Sequence, residues 1–185
     1  MSVNFKKLAK KIARGKYVLI VMRHAKAEPY DAGNDRNRKL TDKGAKQAKI
    51  VGRGLTELGL VPDVASVSGA VRAQQTMERL LKSFGDKPTI NNRQSLYDGG
   101  VQSVLDELAH THGKTHVLMI LGHEPTLSIS CQWLASSNSD PGLLDLLSLG
   151  LSTASVAIFT CDKPFDEWQV HCAELVAVLG GKDFD

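Results

Sequence analysis

The sequence has few of the features that mark secreted, membrane-spanning or nucleic-acid-binding proteins. Only three of its 185 residues are cysteines (Cys131, Cys161 and Cys172), and they form no C-x-x-C pair. This argues against a disulfide framework and predicts a cytoplasmic protein. The apolar run Tyr17 to Met22 is far too short to span a bilayer or to act as a signal core. Aromatic residues make up only 5%, which leaves little for nucleic-acid bases to stack on.

The charge balance is similarly mild. A net charge of +3 is too small to indicate a nucleic-acid partner, although local basic groups could still hold an anionic substrate. Apolar residues at 42% and charged residues at 23% are typical of a soluble globular protein. A chain of this length predicts one domain with its own core.

Residues 1–16 form a basic extension ahead of the domain predicted at 17–185. Phe5, Leu8 and Ile12 recur there at helical spacing between lysines. A helix on a membrane surface is one interpretation. An amphipathic helix packed on the domain, with its lysines in solvent, is the favoured one.

Short apolar runs alternate with longer amphipathic ones in the rest of the chain. Strands are predicted at Tyr17–Met22, Val64–Val67, His116–Leu121, Ser155–Thr160 and Glu167–His171, the last two as a hairpin. Helices are predicted at Thr41–Leu58, from a cap at Ser68 to Phe84, at Val101–His110 and from Pro125 onward, with a loop at 136–142. This alternation predicts an α/β fold, a three-layer α-β-α sandwich around a mostly parallel sheet.

Cationic or imidazole side chains follow three of the predicted strands. Arg23 and His24 end the first strand, Arg72 lies just beyond the second, and His123 follows the strand His116–Leu121. Ligands of open α/β sheets bind at the carboxyl ends of the strands. Arginine forks and the positive ends of helices are suited to phosphate, so the sequence predicts a phosphate site at this edge.

The motifs around these residues resemble those of a known family. Arg23-His24-Ala25, followed by RKLTDKG at 38–44, is similar to the R-H-G/A … R-x-L-T-x-x-G opening of the histidine phosphatase (phosphoglycerate mutase-like) superfamily. SGAVRAQQT at 68–76 resembles its S-x-x-x-R-A-x-Q-T stretch, and LGHEP at 121–125 its G/S-H-x-P block. The short chain without a large inserted cap looks most like the SixA-type phosphohistidine phosphatases.

The resemblance implies a phosphoglycerate mutase-like fold and a role for each matching residue. His24 would be the nucleophile, and Arg23, Arg72 and His123 would surround the phosphoryl oxygens. Chemistry agrees, because a neutral imidazole can attack phosphorus, and the arginines can stabilise the transferring group without a metal or other cofactor.

Three further residues are less well defined. Arg38 and Ser68 are candidate phosphate contacts, although Ser68 could equally be a plain helix cap. Asp98 stands where many members carry the glutamate of an L-x-E motif as general acid. It could be a shorter acid, which is favoured, or a turn residue ahead of Gly99 and Gly100.

Other titratable residues receive simpler interpretations. His110 and His112 are two positions apart beside a helix stop, which favours cations at a helix C-terminus over zinc ligands. Glu28, Asp31 and Asp35 are expected in solvent, in a loop at the rim of the pocket. No metal site is expected.

The leading hypothesis is a phosphatase that hydrolyses phosphohistidine in a protein of the histidine-phosphotransfer type. A neutral imidazole is a far better leaving group than an alkoxide, so a weak acid at Asp98 favours cleavage of P–N bonds. The alternatives are a phosphatase for a small phosphomonoester and a phosphoprotein-binding module without turnover. A mutase is disfavoured, because the chain is short for the segments that would enclose its substrate.

Overall fold

The computed structural model describes residues 3–29 and 33–185. Within them, six strands form one sheet: β1 Tyr17–Arg23, β2 Val64–Ser68, β3 Thr89–Arg93, β4 Val117–Gly122, β5 Val156–Cys161 and β6 Glu174–Leu179. The α-helices of the described residues are α1 Phe5–Ile12, α2 Asp42–Glu57, α3 Val71–Phe84, α4 Ser95–Asp98, α5 Gly100–Ala109, α6 Thr126–Leu134 and α7 Pro141–Ser148. None of them is long and apolar enough to cross a membrane.

The sheet has the strand order β3-β2-β4-β1-β5-β6. The strands from β3 to β1 pair in parallel, and β5 and β6 add an antiparallel edge. The predicted α/β fold with a mostly parallel sheet is therefore confirmed. β1 and β4 lie at the centre, which explains why both are continuous apolar runs rather than alternating ones.

Helices cover both faces of the sheet because the side chains of each strand alternate between faces. Ile20 and Met22 of β1 pack in a core with residues of α1, α2 and α3. Leu19 and Val21 point the other way, into a second core built with α5, α6 and α7. The sheet thus forms the middle layer of a three-layer sandwich.

α1 packs on the first of these cores. Leu8 and Ile12 are buried in it, and the ring of Phe5 lies 5.7 Å from that of Phe184. Lys11 forms an ion pair of 3.0 Å with Glu174 on β6. The apolar side of this basic helix is therefore used inside the protein.

One predicted strand is wrong. Glu167–His171 is not a strand, since a 3₁₀ turn spans Phe165–Glu167, and β6 is the segment that pairs with β5. Residues 167–171 alternate weakly and are mostly exposed, whereas β6 (ELVAVL) is a nearly continuous buried run. The apolar side chains of β6 are buried in both cores, which accounts for its place in the sheet.

The loop predicted at 136–142 ends earlier than expected. Asp140 is the N-cap of α7, its carboxylate accepts a hydrogen bond from the backbone N–H of Gly142, and Pro141 occupies the first turn. Both residues are typical of a helix start, so the sequence carried the signal for this helix.

Candidate active site

His24 and His123 lie side by side at the carboxyl edge of the sheet. The parallel register of β1 and β4 pairs Arg23 with Gly122, so the residue that follows each strand emerges next to the other. The backbone N–H of His24 donates to the carbonyl of Gly122 at 3.1 Å, and the two imidazole centroids are 5.2 Å apart. Strand pairing thus brings together two side chains that are distant in the sequence.

His24 is buried, and its two ring nitrogens have different partners. Nδ1 lies 2.7 Å from the carbonyl oxygen of Ala25, which can only accept, so Nδ1 carries the proton. Nε2 keeps its lone pair and accepts from Nε of Arg72 at 3.3 Å. Burial, reinforced by the charges of Arg72, Arg23 and Arg38, lowers the pKa of His24 to about 4, although the bond to Ala25 opposes this. At neutral pH His24 is therefore a neutral imidazole with Nε2 available as a nucleophile.

Arg72 connects the members of the cluster from the first turn of α3. Its side chain is nearly buried, and Nη1 and Nη2 donate to the carbonyl and carboxylate oxygens of Asp35 at 2.9 and 3.2 Å. Nη2 also lies 3.3 Å from Nδ1 of His123. One guanidinium thus contacts both imidazoles, as expected for a group that holds phosphoryl oxygens between them.

His123 is held by Ser68 on its outer nitrogen. Nε2 lies 2.7 Å from the Ser68 hydroxyl, and because Arg72 can only donate to Nδ1, we infer that Nε2 carries the proton. Burial, followed by the charges of Arg72 and His24, lowers the pKa of His123 to about 3. Ser68 is not the N-cap of α3, which is Ala70, but lies at the end of β2. Its hydroxyl contacts His123 and also accepts a hydrogen bond from the backbone N–H of Ala70 at 3.2 Å.

Arg23 brings an unused donor to the cluster. Its Nη1 donates to the carbonyl of Leu151 at 2.9 Å. Its Nε is buried and has no hydrogen-bond partner within residues 3–29 and 33–185. Leaving such a group unpaired costs about 1–3 kcal/mol, so this N–H is suited to receive an oxygen of a bound anion.

Two contributors to the site were not predicted as functional residues. Asp35, expected only as a solvated residue at the pocket rim, accepts hydrogen bonds from Arg72, from Nε of Arg38 at 2.9 Å and from the Tyr97 hydroxyl at 2.8 Å. The ring of Tyr97 also meets that of His123 edge to face at 5.6 Å. Although partial burial opposes it, these partners keep the pKa of Asp35 below its ordinary value, so the carboxylate is ionised at neutral pH. Tyr97 stands directly before Asp98 in the L-Y-D motif, so its position beside a candidate acid was the sequence feature that could have indicated it.

Three predicted residues lie outside the cluster or outside the described chain. Arg38 contacts Asp35 and the carbonyl of Glu28 rather than His24. Asp98 ends α4, is exposed, and accepts a hydrogen bond from Gln94 at 3.1 Å. The acid role of Asp98 stays a prediction that no contact with the cluster supports. Asp31 lies outside the described residues.

The described residues include no group of three or more histidine, cysteine, aspartate or glutamate side chains that could hold a metal ion. His110, considered above as a helix-end cation, is the C-cap of α5, and its Nδ1 lies 2.7 Å from the carbonyl of Asp106. The charge that faces the cluster comes instead from Arg23 and Arg72. The arrangement provides a nucleophilic nitrogen, a second imidazole and positively charged donors around one point.

The sequence is similar to a known family model and to known proteins. Residues 19–96 match the family model described as the histidine phosphatase superfamily (branch 1). An uncharacterized protein of Mycobacterium tuberculosis is 29% identical over 156 residues, which cover 84% of this chain and 96% of that protein. The mitochondrial serine/threonine-protein phosphatase Pgam5 of Drosophila grimshawi is 39% identical over 83 residues, 44% of this chain and 28% of Pgam5.

A solved structure has the same architecture over most of its length. It comes from Nakamurella multipartitia and is assigned as the phosphohistidine phosphatase SixA. It superposes with a TM-score of 0.76 at 28% sequence identity, covering 88% of this chain and 95% of that one.

Proposed function

Because this chain belongs to the histidine phosphatase superfamily, we propose that it hydrolyses phosphohistidine in a phosphorylated protein, such as one of the histidine-phosphotransfer type. The family and the phosphoglycerate mutase-like fold make it a phosphatase of the histidine type. We further propose that the reaction passes through a phosphorylated His24, that it needs no metal, and that the protein is cytoplasmic.

In the first step, Nε2 of His24 attacks the phosphorus of the substrate. The new P–N bond forms as the P–N bond to the substrate imidazole breaks. If the other nitrogen of the substrate ring already carries a proton, the ring leaves as a neutral imidazole and needs no proton from a general acid. Positive charge develops on the His24 ring, and the carbonyl of Ala25 stabilises it through the Nδ1 proton. The guanidinium groups of Arg23 and Arg72 balance the charge on the phosphoryl oxygens.

In the second step, water attacks the phosphoryl group on His24. The P–N bond breaks, its electron pair returns to Nε2, and both protons of the water leave with inorganic phosphate. His24 is then neutral again, with its proton still on Nδ1. The cycle therefore requires no net proton from the protein.

The hydrogen bonding around the two imidazoles is the observation that carries the choice of substrate. Among the described residues, Asp35 is the one carboxylate that hydrogen-bonds to Arg72, and none bonds to the side chains of His24 or His123. A carboxylate with a lowered pKa is a poor general acid. An alkoxide leaving group needs such an acid, whereas an imidazole does not, so the site supports cleavage of a P–N bond over a P–O bond.

A phosphomonoester is the second candidate substrate. The similarity to the serine/threonine-protein phosphatase Pgam5 favours it, because the two sequences share 39% identity over the 83 residues that match. The reaction at His24 would be the same, with an alkoxide as the leaving group.

A phosphate-release assay over a panel of substrates tests the proposal. The panel contains a phosphohistidine protein, free phosphohistidine, a phosphoserine peptide and a sugar phosphate. We expect kcat/KM to be highest for the phosphohistidine protein. Faster release from phosphoserine or the sugar phosphate would move the assignment to the second candidate, and binding without release from any substrate would indicate a module without turnover.

A further inference from the structure

Glu124, the residue after His123, takes no part in the reaction described above, yet both of its carboxylate oxygens are engaged. Oε1 accepts a hydrogen bond from the backbone N–H of Ser128 at 2.9 Å, and Oε2 accepts from that of Leu151 at 3.1 Å. One contact fixes the carboxylate to the start of α6, and the other ties it to the turn Leu149–Leu151, defined here as the 149–151 turn.

The 149–151 turn leads directly to Arg23. The N–H of Leu151 donates to Glu124, while its carbonyl accepts from Nη1 of Arg23 at 2.9 Å. The backbone of one residue, Leu151, therefore links the carboxylate of Glu124 to the guanidinium of Arg23. That carbonyl is the hydrogen-bond partner that aims Arg23, whose Nε is left buried and unpaired among the described residues.

The turn is shaped around the carboxylate. Gly150 has φ of +84°, and a Cβ there would lie 3.1 Å from Oε2 of Glu124, so glycine gives the turn both its conformation and its clearance. Leu149, the first residue of the turn, is 84% exposed, whereas Leu151 is buried in the second core. Packing therefore holds the side chain of Leu151, and the contact with Glu124 fixes the direction of its backbone N–H.

We propose that Glu124 is a positioning residue for Arg23, acting through the 149–151 turn to aim the unpaired Nε at the phosphoryl group. This inference rests on the proposed function in one respect, which is that Arg23 binds the phosphoryl oxygens. It does not depend on which phosphorylated molecule is the substrate.

Glu124→Gln is the informative variant because its shape is nearly the same but its hydrogen bonding is not. Both carboxylate oxygens accept from backbone N–H groups, and a glutamine has one oxygen and one donor group. One of the two contacts must therefore break. We expect Glu124→Gln to weaken binding of orthovanadate, a phosphate-shaped anion, by about 10-fold, and Glu124→Ala by more.

Asp63 provides a matched control at the opposite end of β4. Its carboxylate also accepts from two backbone N–H groups, those of His116 and Val117, at 3.0 and 2.9 Å. Asp63→Ala removes a comparable anchor that has no contact with the active site. It is expected to lower the stability while leaving the Kd for orthovanadate within about twofold.

The decisive experiment is a double-mutant cycle on Glu124 and Arg23. Calorimetry measures the Kd for orthovanadate of the wild-type protein, Glu124→Gln, Arg23→Ala and the double variant. Urea unfolding confirms that each protein is folded. If Glu124 acts through Arg23, Glu124→Gln changes the Kd less than about twofold once Arg23 is absent.

Three results would overturn the proposal. The same loss from Glu124→Gln with and without Arg23 would mean that Glu124 acts independently of it. A Kd for Glu124→Gln no weaker than that of Asp63→Ala would make Glu124 a structural anchor only. An Arg23→Ala variant that binds orthovanadate normally would remove the role of Arg23 itself. Because the probe is the anion alone, a failed substrate assignment in the phosphate-release panel leaves this test intact.

Discussion

At the scale of single residues, the site depends most on the guanidinium of Arg72. Its N–H groups donate to Nε2 of His24 and to the carbonyl and carboxylate oxygens of Asp35, and its Nη2 lies 3.3 Å from Nδ1 of His123. The planar guanidinium can donate hydrogen bonds in all these directions at once, whereas the ammonium of a lysine is a point charge on a flexible chain. The geometry of the guanidinium therefore matters as well as its charge.

We predict that Arg72→Lys lowers kcat/KM by about 100-fold or more, because the transition state loses the paired donors while the net charge stays the same. The measurement is steady-state phosphate release from the best substrate of the panel. Arg79→Lys, on the same helix but outside the cluster, is the matched control and should retain normal activity. Equal activities of the two variants would show that the charge of Arg72 is enough.

In contrast to Arg72→Lys, we expect Asp98→Asn to have little effect on activity. Since Asp98 is exposed and contacts Gln94 rather than the cluster, we expect kcat/KM for phosphohistidine to change by less than about twofold. The pH dependence of the rate should keep its shape. A loss above about tenfold together with a change in the pH profile would restore Asp98 as the general acid.

How much of the site could be predicted differs from residue to residue. His24, Arg23, Arg72 and His123 follow strand ends or open a helix, so local patterns and motifs indicated them. Asp35 and Tyr97 meet across 62 positions in the sequence, and no local pattern encodes a hydrogen bond between them.

At the scale of elements, the central strands were the most predictable part of the fold. β1 and β4 are buried on both faces, so each is a continuous apolar run that stands out in the sequence. β3 (TINNR) was not predicted because it is an edge strand without an apolar run, and its pairing with β2 creates it. β6 (ELVAVL) is also an apolar run, and the prediction placed the partner of β5 too early in the chain, at Glu167–His171.

α1 shows how an extension becomes part of a core. We predict that Leu8→Ala lowers the free energy of unfolding by about 2–5 kcal/mol, because Leu8 is buried against the core shared by α1, α2 and α3. Lys10→Ala, on the exposed side of the same helix, should change it by less than about 0.5 kcal/mol. Urea denaturation measures both. A Leu8→Ala variant as stable as Lys10→Ala would mean that α1 is not held in the core in solution.

At the scale of the whole molecule, the site makes stability depend on pH. The lowered pKa values of His24 and His123, about 4 and about 3, lie below the ordinary histidine value of 6.5. Between pH 6.5 and about 4 the unfolded chain therefore binds protons that the folded protein does not. By linkage, stability falls as the pH drops through this window, by up to about 1.4 kcal/mol per pH unit for each ring.

We predict that the free energy of unfolding decreases steadily from pH 7 to pH 5, and that the double variant His24→Gln/His123→Gln shows a clearly shallower slope. His112→Gln, which removes an exposed imidazole outside the cluster, is the control. Urea unfolding at each pH gives the three slopes. Equal slopes for the wild-type protein and the double variant would mean that the two imidazoles are not held neutral by the fold.

The central claim is that His24 carries the phosphoryl group, and trapping the intermediate tests it most directly. The protein is mixed with a ³²P-labelled phosphohistidine donor, quenched within milliseconds in alkali, digested and mapped. We predict a label on His24 that is stable in alkali, is lost in acid and forms no slower than phosphate is released, with neither label nor turnover in His24→Ala. Label on another residue, or turnover that persists in His24→Ala, would contradict it.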